Sequence, residues 1–162
     1  MTLKSFICFA ALVAGLSPFS ADTRIEGIWK VVAVTTIKSD GQRSTILPTE
    51  SQVIFADGHY SFCWTSHRTP HREWIVPDSM KVSRYNQTIV NAGAYKLEDS
   101  VLISSATFAL NPMFVDGVAR FRISFAGDSL VLSGIEVFSK DKIPHPVYAN
   151  GSRIVTKLVR LR

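Results

Sequence analysis

From residue 25 onward the chain alternates apolar and polar positions in short runs, each closed by a turn signal. This two-residue period predicts strands. Residues 28–37 are rich in β-branched side chains and stop at Ser39-Asp40-Gly41. Residues 53–55 lead into Asp57-Gly58, a favoured two-residue hairpin loop, and 60–65 return. Residues 93–97 turn at Glu98-Asp99-Ser100 and continue as 101–108, and 118–125 turn at Gly127-Asp128 into 130–134. A last strand spans 154–161, which gives eight or nine strands, mostly in sequential hairpins. One segment departs from this period. Residues 78–90 contain no Gly or Pro and place Val82, Tyr85 and Ile89 at i, i+3 and i+7, with Asp78 as N-cap after Pro77. That spacing predicts one helix whose three apolar side chains turn toward the sheet, preceded by a long loop, 66–77.

Sequential antiparallel strands with one helical interruption and no βαβ alternation favour an all-β, up-and-down antiparallel barrel over a sandwich. Closure also removes sheet edges that the chain would otherwise have to protect. A barrel of about eight strands is either filled by side chains or holds one small ligand. Two stripes would face its interior: Tyr60, Phe62 and Trp64 on one strand, and Phe121, Ile123 and Phe125 on another. Such stripes serve as core, or as the wall of an apolar binding site whose mouth Tyr85, Tyr95 and Phe114 complete. Arg120 and Arg122 fall on the opposite face and point to solvent. With the faces reversed they would favour a carboxylate ligand.

The first residues change the domain picture. Lys4, an apolar stretch over 6–16 and the small residues Ser17, Ser20 and Ala21 make 1–21 a signal peptide. The domain is then 22–162, exported to the periplasm or secreted. After residue 21 no apolar run approaches the roughly 20 residues that span a bilayer, so no stable membrane span is expected once the signal is removed. Loss of Lys4 lowers the formal net charge from +5 to +4, that is 17 basic against 13 acidic residues. These charges are scattered, without the basic-aromatic interleave of a nucleic-acid surface, so nucleic acid is not an expected partner. Of the two cysteines only Cys63 lies beyond the signal, so no internal disulfide can form there. Between Phe62 and Trp64 it reads as a buried thiol.

Chemistry-bearing patterns are few. No nucleophile elbow, phosphate loop or zinc-binding helix is present, and no catalytic residue, metal site or cofactor is assigned. The segment His67-Arg68-Thr69-Pro70-His71-Arg72-Glu73 is unusual in composition and reads as a solvated loop. Its other readings are an anion contact at the barrel mouth or, against Pro70, a metal site. His59 and Cys63 are four apart on one strand, about 13 Å at strand rise, too far for direct proton transfer. His145, between two prolines, has no evident role.

Gly27-Ile28-Trp29-Lys30-Val31-Val32 begins the first strand, and Arg160 and Arg162 close the last. Further segments are Phe55-Ala56-Asp57-Gly58-His59-Tyr60-Ser61, Asn91-Ala92-Gly93-Ala94-Tyr95, Asn111-Pro112-Met113-Phe114 and Gly127-Asp128-Ser129-Leu130. In this order they resemble the bacterial lipocalin-like domain family over nearly all of 25–162. The resemblance implies a calycin-type barrel in which Trp29, after Gly27, plugs one end under Arg160, all three being structural. It also implies a small hydrophobic or amphipathic ligand inside. A barrel enzyme of isomerase or cyclase type, and a loop-mediated interaction module, are the alternatives. The chain departs from the family at 67–73 and by a long insertion over 140–150.

Overall fold

The computed structural model describes residues 24–68 and 73–161. The stretch expected as a signal peptide, 1–21, together with 22–23, residues 69–72 with His71 and Arg72, and Arg162 lie outside the described residues. The strands are β1 (Gly27–Ile37), β2 (Arg43–Ile46), β3 (Glu50–Ala56), β4 (His59–Thr65), β5 (Thr88–Glu98), β6 (Val101–Ala109), β7 (Val118–Ala126), β8 (Ser129–Phe138) and β9 (Arg153–Arg160). Helices α1 (Asp78–Gln87) and α2 (Pro146–Ala149) and a 3-10 turn (Pro112–Phe114) lie in the connections.

From β3 to β9 every strand pairs antiparallel with its chain neighbour, and β1 pairs with both β3 and β9, closing an eight-stranded barrel. The ninth strand, β2, folds back on the far half of β1, setting Ile46 against Val34 and Arg43 against Ile37. Hairpin turns set the register as the turn residues require. Asp57 and Gly58 both take positive φ, 48° and 72°, the conformation of a type I′ loop.

The most deeply buried large side chains, Trp29, Phe55, Ile25, Leu130, Leu158, Val31 and Val53, gather toward one end of the barrel. They alternate with outward residues along β1, β3, β8 and β9, as a half-buried pleated surface demands.

The helix differs from its expected form. It stops at Gln87, because the β-branched run Thr88-Ile89-Val90 joins β5 and pairs with Thr65, Trp64 and Cys63. None of its residues is buried, and Val82 and Tyr85 are 60% and 45% exposed, so the Val82–Tyr85 face does not turn toward the barrel. Asp78 lies in the first turn and pairs with Lys81 at 2.9 Å, while Pro77 holds the N-cap position without a side-chain cap. Cys63 corrects a second expectation. The pleat that turns Tyr60, Phe62 and Trp64 inward sends Cys63 outward, where it is half-buried with Sγ 3.7 Å from Ser61 Oγ.

Candidate functional site

One end of the barrel is sealed by groups that satisfy each other. The Trp29 indole N–H donates to the Ile25 carbonyl at 2.8 Å. The Arg160 guanidinium stands 4.3 Å from the centre of the Trp29 ring, a cation–π contact across the β1–β9 seam. The same guanidinium donates to the backbone carbonyls of Glu26 and Arg24, at 2.6 and 2.5 Å. Gly27 has φ +124°, and a side chain there would run into Arg160. Arg24 covers Phe125 at 4.6 Å, and Tyr95 meets Phe55 edge-on at 5.3 Å. Tyr95 therefore belongs to this sealed end rather than to a mouth, and its hydroxyl is pushed above the ordinary phenol range by burial and by Glu26 and Asp57.

Beyond the seal lies a cavity of about 180 Å³. Its walls are Tyr60, Phe62 and Trp64 of β4, Ile89 and Asn91 of β5, Leu102, Ser104 and Ala106 of β6, Phe121 of β7, Leu132 and Val137 of β8, and Ile154 and Thr156 of β9. Of the nine side chains that the sequence nominates, Tyr60, Phe62, Trp64, Phe114 and Phe121 come together here. Ile123 is packed in the core and Phe125 lies against it, because β7 runs from the cavity into the sealed end. Tyr85 stands exposed on α1, outside the lining.

Sequence reasoning missed the polar lining and the way the cavity is capped. Asn91, Ser104, Thr156, His145 and Tyr148 all face this space. The connection after β8 folds back so that Phe138 bridges Pro144, and the His145 N–H donates to the Val137 carbonyl at 2.8 Å. Pro146 then opens α2 with its fixed φ and no N–H to satisfy, and the His145 side chain caps it, Nδ1 accepting from the Val147 N–H at 3.3 Å. That bond places the proton of the neutral imidazole on Nε2.

His145 stacks on Phe114 at 5.8 Å and meets Tyr148 edge-on at 5.9 Å, so two connections meet through three rings. Phe114 reaches this position from the 3-10 turn, which Asn111 caps by accepting from the Met113 N–H at 3.0 Å. The only signal in the sequence was the Pro144-His145-Pro146 triplet inside a long insertion, and it shows a turn without showing where the turn points.

The electrostatics of the cavity are one-sided. Among the described residues no Asp, Glu, Lys or Arg lines it. Burial raises the Tyr60 hydroxyl above its ordinary value, against a hydrogen bond with the Ser104 side chain that lowers it. Burial also pushes the Tyr148 hydroxyl up to about 12, although a hydrogen bond to the Ile154 backbone opposes this. It holds His145 below the usual imidazole value. All three groups are thus kept uncharged near neutrality. Arg120 and Arg122 are exposed on the outer face, Arg120 paired with Glu136 across β7 and β8.

Outside the barrel, Arg68 and Arg84 converge on Glu50 at 3.3 and 3.4 Å, and the exposed His59 ring donates its Nδ1–H to the Asp57 carbonyl at 2.8 Å. Among the described residues no three His, Cys, Asp or Glu side chains gather as a metal site, and no helix is long and apolar enough to cross a membrane. Comparison with family models, curated proteins and solved structures returns no match.

Proposed function

We propose that this is an exported protein of lipocalin-like type that holds a small apolar or amphipathic molecule inside its barrel. The cavity carries this reading: a concave space with aromatic and aliphatic walls and a few polar groups is the usual composition of a small-molecule site. The Trp29–Arg160 seal supports it, since closing one end leaves a pocket rather than a channel. Residues 1–21, with their signal-peptide pattern, support export.

Native mass spectrometry of protein purified from its own host, with displacement of a fluorescent apolar probe, tests the carrier reading. A bound small molecule, or probe uptake that Leu132→Trp abolishes while the fold persists, is the expected result. Failure of every apolar probe to enter the folded protein overturns it. N-terminal sequencing of the mature protein tests export, with a first residue just after Ser20 or Ala21 expected.

One observation favours a second reading. His145 and Tyr148 place an imidazole and a phenol against an otherwise apolar cavity, which a barrel enzyme acting on a hydrophobic substrate would use for proton transfer. Recovery of the bound molecule chemically unchanged after prolonged incubation separates a carrier from such an enzyme.

A further inference from the structure

The cavity is small, uncharged and polar at a few points, and these properties together define what it takes. We propose that it selects an uncharged molecule about the size of one ring, bearing a single hydroxyl or carbonyl, and that it excludes carboxylates. The inference rests on the carrier reading and narrows it to a ligand class.

Size comes first. The volume is about 180 Å³, whereas pockets for drug-sized ligands run to about 300–1,000 Å³. An apolar cavity of about 150 Å³ is known to accept benzene. A single ring with one small substituent fills this space, and an extended acyl chain would have to project beyond it.

Charge is the second argument. A carboxylate inside a low-dielectric space needs a cation or several hydrogen-bond donors to replace its water. Among the described residues none offers the cavity a cation: Arg120 and Arg122 lie on the outer face, and the Arg160 guanidinium is committed to Trp29 and two carbonyls at the sealed end. Among the described lining residues His145 alone can become cationic, and its burial among Phe114 and Tyr148 opposes that. An ammonium ligand fails for the converse reason, since no carboxylate of the described residues lines the space.

Polarity is the third. The Tyr60–Ser104 pair is set in the wall between apolar neighbours on β4 and β6. Each hydroxyl both donates and accepts, so either can turn a hydrogen bond toward a ligand oxygen. A purely hydrocarbon ligand leaves that capacity unused, and an oxygenated one engages it.

Calorimetric titration of the full folded protein with toluene, benzyl alcohol and benzoate near neutral pH tests the proposal. Benzyl alcohol is expected to bind most tightly, with benzoate weaker by about a hundredfold or more, as an unpaired buried charge requires. Tyr60→Phe is expected to reduce the advantage of benzyl alcohol over toluene by about three- to tenfold and to leave toluene binding unchanged. Benzoate binding as tightly as benzyl alcohol overturns the charge selection while the carrier reading stands. If none of the three displaces a larger apolar probe that itself enters the protein, the size class is overturned and the carrier reading again stands. If the probe also fails to enter, both fall together.

Discussion

The ring of Tyr148 rests on the bare backbone of Gly134, so closely that a methyl group there would stand 2.8 Å from both Cε1 and Cζ. Gly134 faces inward on β8, opposite Phe121 of β7, and its missing side chain is the space into which the α2 connection lowers its phenol. Gly134→Ala should displace Tyr148 and cost about 1–3 kcal/mol, the usual range for overpacking a filled site. Combining it with Tyr148→Ala should remove most of that penalty in a double-mutant cycle read by denaturant unfolding. Additive effects would show that the two residues do not press on each other.

At the other end the stability resides in an indole. Trp29 is 1% exposed and holds both an N–H bond and the Arg160 cation, so Trp29→Ala should destabilise by about 3–5 kcal/mol. Arg160→Lys keeps the charge but loses the planar fork that spans the Arg24 and Glu26 carbonyls, and should be clearly destabilising. A thermal midpoint moved by only a degree or two in the tryptophan variant would contradict this assignment.

Alkaline pH should unfold the protein through its interior tyrosines. Tyr60, Tyr95 and Tyr148 are all raised above 10, Tyr148 to about 12. The native state therefore keeps phenolic protons that the unfolded chain releases above pH 10, so stability falls as pH rises from there through the folded values. Ultraviolet titration of phenolate absorbance should show a late, cooperative phase coincident with loss of near-ultraviolet circular dichroism. Tyr148→Phe should shrink that phase.

His145 gives the opposite, acid-side behaviour. Its folded value lies below the ordinary 6.5, so below that pH the unfolded chain binds the proton more readily than the native one. Its contribution is complete above 6.5 and is lost as pH falls through the folded value. Nuclear magnetic resonance of the imidazole protons should place its titration below the ordinary value of 6.5. Titration at or above that value would mean that the Phe114–His145–Tyr148 cluster is open to water.

Helix α1 should tolerate polar substitution. Val82 and Tyr85 contact solvent, so Val82→Ser or Tyr85→Ser should change unfolding free energy by no more than about 0.5 kcal/mol. A loss of several times that would show that the face is covered in solution.

Much of the barrel is legible in the chain because its cause is local. β-branched alternation and Asp-Gly, Glu-Asp and Gly-Asp turns locate most strands to within a residue or two, as at β6, where 101–108 corresponds to Val101–Ala109. The misreading at 78–90 came from counting Ile89 in a helical period with Val82 and Tyr85. Ile89 does face the interior, but from a strand opposite Trp64. The early part of β3, Glu50-Ser51-Gln52, carries no apolar alternation and is held by pairing with β4. The few polar groups of the cavity were hidden for a different reason. Ser104 and Asn91 are ordinary strand residues until closure decides which face is inside, and Tyr148 enters only because a distant glycine leaves room for it.

The pairing of β1 with β9 joins residues near the two ends of the chain, Trp29 lying opposite Arg160. Such contacts of long sequence separation form late and slowly. Strand β9 is therefore the segment that shuts the barrel, and until it pairs with β1 neither the seal nor the cavity exists. A copy without β9 keeps its hairpins and has no inside.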